Sequence, residues 1–226
     1  STEHYILGPP IKGVSENNVE NNTKNPGVEL AYWYYGLTLA QKWRERLGMD
    51  RDPHWQDIID KLTRLPVSEG KYLELETSPD MYQNRGHFSS AMIMALGFLP
   101  KTSMVNMDTM RKTFDAIVAR NGLNSFVSWS MGKGAMTATR LGEPEAAIDI
   151  LTNDSPQSSF SRAGYVQRPK ELRSRTNPAY LPVNSSFLSA VALMAAGWDS
   201  LPQPEAPGFP KNGQWHVRAE NLNKLP

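Results

Sequence analysis

The sequence predicts an all-α fold of helical hairpins, and three observations predict it. Apolar residues recur at three- and four-residue spacings through most long segments. Pro and Gly punctuate those segments where helices should start and stop. The stretch Phe187–Gly197 is apolar or small nearly all the way round, as a helix covered on most sides would be. Seven helices follow from this reading, with almost no sheet.

The first is predicted from about Gly27 to Leu47. Asn25-Pro26 supply a cap and a first-turn proline, Gly48 supplies the stop, and Leu30, Trp33, Leu37 and Ala40 mark a buried face. The second opens at Asp52-Pro53, carries Trp55, Ile58, Ile59 and Leu62, and ends before Pro66. A third is expected from His87 to Phe98, closed by Pro100. A fourth runs from Asp108 to Arg120, with Met110, Phe114, Ile117 and Val118 inward. The fifth and sixth, Gly134–Leu141 and Glu145–Leu151, form a tight pair hinged at Gly142-Glu143-Pro144, and the seventh is Phe187–Gly197. Residues 153–183 read as a long functional loop rich in Ser, Pro, Arg and Tyr. Residues 200–226 read as an extended tail. The whole chain, 1–226, is expected to be one helical domain.

Composition narrows the function. Hydrophobic residues make up 39% of the 226 and charged residues 21%, enough for a packed core and too little charge for disorder. The net charge is +1, and Lys and Arg are scattered, so nucleic acid is not expected as a partner. No apolar run approaches the length of a membrane span, and no signal peptide is visible, although a processed chain would look the same. With no cysteine, disulfides, thiolate metal sites and a Cys nucleophile are excluded. His4, His54, His87 and His216 lie far apart and outside any metal-ligand spacing. Neither metal nor cofactor is expected.

The chemistry-bearing stretch is the opening. Gly8-Pro9-Pro10, Ser15-Glu16-Asn17-Asn18 and Asn25-Pro26 lead into Glu29-Leu30-Ala31-Tyr32-Trp33-Tyr34-Tyr35. Amides can bond sugar hydroxyls, aromatic faces can cover ring C–H groups, and a carboxyl can move a proton. Glu16 is the candidate acid, because an amide-rich, aromatic-walled loop would desolvate it. Glu29 is a candidate second carboxyl or simply a favourable charge at a helix N-terminus. Glu20 and Asp154 are weaker candidates, chosen by loop position alone. The four consecutive aromatics point all round the helix, so one or two should face a cleft. Trp129, in Ser128-Trp129-Ser130, suits sugar stacking or ordinary hairpin packing. Asn17, Asn18, His87 and Asn184 can bind hydroxyls, or merely satisfy turns and caps.

Four motifs recur in a familiar order: Gly8-Pro9 with Glu16 and Asn17-Asn18; Arg85-Gly86-His87-Phe88 with Ala95-Leu96-Gly97; Ser128-Trp129-Ser130 with Ala138-Thr139-Arg140-Leu141-Gly142; and Pro182-Val183-Asn184-Ser185-Ser186. This order resembles the C-terminal half of a six-hairpin (α/α)6-barrel glycosidase, similar to the kojibiose, maltose and trehalose phosphorylase group and the inverting α-L-fucosidases. The resemblance implies about half of an (α/α)6 toroid, completed by a missing N-terminal half of the barrel or by another chain. It implies a glycoside hydrolase working by inversion on an oligosaccharide or glycoside, with Glu16 as general acid. A phosphorylase-type phosphate site is not recognisable, and no carboxylate stands at Asn184. The family's habit favours a periplasmic or secreted location over a cytoplasmic one. Two alternatives stay open: a non-catalytic sugar-binding relative, and a helical-repeat scaffold. Residues 138–147 read much like a repeat hinge, but no such period recurs.

Overall fold

The computed structural model describes residues 3–16, 18–84, 89–155, 158–166, 180–199 and 203–225. It is mainly helical, with six α-helices and one two-stranded hairpin among the described residues. The chain folds as two compact units, Ser1–Ala95 with Lys101–Thr113, and Leu96–Pro100 with Phe114–Pro226.

In the first unit, α1 runs Gly27–Arg46 and α2 runs Pro53–Lys61. Asn25 does not cap α1. It sits at φ 49°, and its side chain accepts from the Leu7 amide (2.8 Å), while its own amide donates to the Leu7 carbonyl (2.8 Å). An asparagine tolerates that left-handed backbone better than most residues. The Asn25 side chain thus pins the chain entering from residue 7 to the start of α1. Gly27 allows the next close approach: a Cβ there would lie 3.0 Å from the Leu73 carbonyl oxygen, and its amide donates to the Glu74 carbonyl (2.8 Å). Buried Gln41 joins the two helices, donating to the Asp52 carbonyl (2.7 Å) and accepting from its amide (2.9 Å).

Asp52 caps α2, its carboxylate accepting from the amides of His54 (2.9 Å) and Trp55 (3.1 Å). Asp52→Ala should cost about 1 kcal/mol in urea unfolding, and Asp52→Asn should recover most of it. The hairpin β1 (Val67–Ser68) and β2 (Lys71–Tyr72) turns at Glu69-Gly70, both at positive φ, and was not expected from the sequence.

The face of α1 against the core carries Leu30, Ala31 and Gln41. Trp33, expected there, is 54% exposed. Tyr32, Leu39 and Trp43, with Leu47 just past the helix end, form an exposed apolar stripe along α1. The helix expected over 87–98 is, among the described residues, only a 3-10 segment, Ala91–Ala95, whose apolar residues are nonetheless buried. Residues 85–88 lie outside the described residues.

Helix α3 (Met107–Asn121) passes from the first unit to the second after Thr113. Met110, Phe114 and Ile117 are buried as expected, and Val118 is half-buried. The second unit then builds α4 (Ser130–Leu141), α5 (Pro144–Leu151) and α6 (Pro182–Ala196). The helix buried on every side is α4, from Met131 to Leu141. That place was expected for 187–197, but α6 leaves Leu188 66% exposed. A Cβ on Gly132 would stand 2.1 Å from the Ser186 carbonyl oxygen, so α4 and α6 touch backbone to backbone. Phe126 packs under Gly134 and stacks on Phe114, with ring centres 5.5 Å apart.

Within the loop of residues 153–183, 156–157 and 167–179 lie outside the described residues; Phe160 and Val166 form an isolated antiparallel bridge. The tail returns to α6: Ala206, Pro207 and Gly208 are buried, and Leu225 bridges Trp198 in parallel.

Candidate functional site

Within the first unit, the loop from Ile11 to Thr23 folds onto the first turn of α1. The Gly13 amide donates to Asn18 Oδ1 (3.0 Å), and the next amide, Val14, donates to Glu29 Oε1 (2.6 Å). Asn18 also donates from Nδ2 to the Ile11 carbonyl (3.0 Å) and to Thr23 Oγ1 (2.6 Å). Its amide is therefore engaged in closing the loop. Asn17 lies outside the described residues.

The desolvation expected at Glu16 is found at Glu29 instead. Glu16 stands exposed at a turn, at φ 59°, its amide bonded to the Gly13 carbonyl (2.9 Å). Glu29 is half-buried, and burial pushes its carboxyl above the ordinary range; donation from its own backbone and from Val14 opposes the shift, and the nearby Glu74 adds to it. Glu74 is 7% exposed, and its Oε1 has no hydrogen-bond partner. Glu74 was not singled out from the sequence, where its only signal is a carboxylate between two apolar residues in Leu73-Glu74-Leu75. Gly27 is what brings the two together, by letting the start of α1 sit against residues 73–74.

The other candidate carboxylates, and Glu76, stand differently. Glu20 is exposed and pairs with Lys12 (3.1 Å); its own backbone amide and Lys12 hold its carboxyl below the usual range. Glu76 is held low by Lys24 (2.8 Å) and then by Asn25. Asp154, in the second unit, is exposed.

One turn beyond Glu29 on the same stripe of α1 stands Trp33, followed one turn later by Leu37. Both line a cleft of about 320 Å³ whose other walls include Tyr5, Leu7, Trp55 and Ile58. Trp33 thus faces a cleft. The lining is almost wholly apolar.

Trp129 and Asn184 belong to the second unit. Trp129 is half-buried at the start of α4, with Lys133 Nζ 4.6 Å from its ring centre. Asn184 donates to the Gly164 carbonyl (2.7 Å), and its Oδ1 is buried without a partner. His87 lies outside the described residues. No helix among the described residues is long and apolar enough to cross a membrane.

No protein family model, no curated protein and no solved structure matches the chain.

Proposed function

We propose that the chain is part of a carbohydrate-active protein that hydrolyses a glycosidic bond by inversion, with Glu29 as the general acid. The observation that carries this reading is the half-buried Glu29 carboxyl, raised by desolvation beside Glu74 and seated one turn from an aromatic cleft. Glycoside cleavage needs a carboxyl that keeps its proton until the leaving oxygen takes it. Glu74 is too deeply buried to meet a substrate, and its role is to favour the proton on Glu29. Glu16, exposed on the loop tied to Glu29 through Val14, is the second carboxyl of this reading and activates water. The motif order described above supports an (α/α)6 toroid completed by further helices. The exposed apolar stripe on α1 is a surface such a neighbour would cover.

The test is release of reducing sugar from a panel of oligosaccharides by the full gene product, beside its Glu29→Gln and Glu16→Gln variants. Both variants should lose activity by roughly 10²-fold or more. Full activity in Glu29→Gln would remove the acid from this site.

A further inference from the structure

We propose that the cleft beside Trp33 seats a planar, uncharged aromatic ring of phenol to indole size. On the carbohydrate reading above, on which this last step rests, that ring is the aglycone, and the substrate class is aryl glycosides.

The walls choose the ligand. Trp33 and Leu37 come from α1, Trp55 and Ile58 from α2, and Tyr5 from the chain before the loop. Arg44 lies over the Trp55 ring, 5.5 Å from its centre, which helps hold that indole in the wall. Tyr5 is held just as firmly. Its amide donates to the Lys61 carbonyl (2.9 Å), its carbonyl accepts from Thr63 (2.9 Å), and its hydroxyl donates to Asp57 Oδ2 (2.9 Å). The cleft is therefore built before any ligand arrives. Its volume of about 320 Å³ lies at the small end of ligand sites.

Charge complementarity then excludes most chemistries. Asp57, whose carboxylate holds the Tyr5 hydroxyl, forms an ion pair with Lys61, so the side of the cleft carries a neutralised pair. A charged ligand, or the many hydroxyls of a sugar ring, would find only the His54 ring and the Tyr5 hydroxyl, already bonded to Asp57, among the lining side chains, too few polar partners to replace its water. A flat ring instead meets aromatic faces from two helices in stacked or edge contact. The exposed His54 ring, which also lines the cleft, is within reach of one polar substituent. The Glu29–Trp33–Leu37 stripe connects the cleft to the acid. A leaving group joined to the oxygen that Glu29 protonates would lie on that side of it.

The experiment is a titration of the purified chain with p-cresol, read by saturation-transfer NMR and calorimetry, with cyclohexylmethanol as a non-planar control. Saturable binding of p-cresol is expected, roughly tenfold tighter than the control. Ile58→Trp, which fills the cleft, should weaken it by roughly tenfold or more. Should that variant fail to fold, Trp33→Ala gives the same reading, since its ring is already 54% exposed. No saturation, equal binding of the control, or unchanged binding in the folded variants overturns the proposal.

The two claims part when p-tolyl and methyl hexosides are added. Competition of p-cresol with the p-tolyl hexosides alone supports the aglycone seat. Binding of methyl hexosides without p-cresol binding sinks the ring site and keeps the carbohydrate reading. Binding of p-cresol with no glycoside of either kind keeps the ring site and sinks both the aglycone role and the carbohydrate reading.

Discussion

Gly132→Ala is expected to destabilise the second unit by about 3 kcal/mol or more, among the largest effects of any single methyl in this chain. The added Cβ would sit 2.1 Å from the Ser186 carbonyl oxygen and 2.3 Å from its carbonyl carbon. Those atoms belong to the backbone of α6, so no side chain can rotate away, and the two helices must separate. Gly134→Ala meets the Phe126 ring at 2.7 Å and should cost less, because a ring can shift. Gly36→Ala is the control: nothing lies within 4 Å of its Cβ in mid-α1, and alanine there should add roughly 0.5–1 kcal/mol of stability. Urea unfolding followed by circular dichroism orders the three. A Gly132→Ala midpoint equal to the parent's would mean that α4 and α6 do not meet as described.

Glu29→Gln should have two opposite effects. Turnover on the proposed substrate falls by about 10²–10⁴-fold, because an amide cannot give the leaving oxygen the proton that a carboxylic acid gives it. Stability moves the other way with pH. Burial raises the carboxyl in the folded state above its unfolded value, so the protonated form is the one that folding favours. That contribution is fully present below the unfolded value and is lost as pH rises through the folded one. The glutamine carries no such penalty and can still accept from the Val14 amide. Melting temperatures of parent and variant should therefore diverge as pH rises through the carboxylate range and run parallel above it. A constant offset from acid to neutral pH would show that Glu29 is not desolvated.

Most helices were legible because their signals are local. Asp52-Pro53 is a cap followed by a first-turn proline, and Gly142-Glu143-Pro144 is a stop followed by a start. α4 and α6 nevertheless begin earlier than expected, at Ser130 and Pro182, since periodicity does not fix an end. Burial was harder to read. The apolar run 188–196 looked like the enclosed helix, whereas α4 is enclosed through small residues that let backbones touch. Lys133 and Arg140 on α4 would ordinarily argue against it, yet both are buried, their cationic heads lying over the rings of Trp129 (4.6 Å) and Trp198 (5.2 Å).

The candidate site shows the same limit. The Asn18 loop and Glu29 were legible as neighbours of one helix start. Glu74 was not, because its approach depends on Gly27 lying against residues 73–74, an approach between distant stretches of chain that no local pattern encodes. Glu16 lies on the loop that folds onto the start of α1, but at an exposed position. Its exposure is set by a turn closed between the Gly13 carbonyl and its own amide.

The enclosure of α4 has a consequence for observing this protein at work. With Met131 to Leu141 all buried, its amide protons have no route to solvent short of opening the second unit, so they should be among the slowest to exchange with deuterium. Their rates then gauge the whole unit's stability and ignore local shielding elsewhere. A partner or ligand engaging the unit would slow them by the full linkage energy of binding, wherever on its surface it docked. Eleven consecutive residues, Met131 to Leu141, thus act as a built-in meter for association.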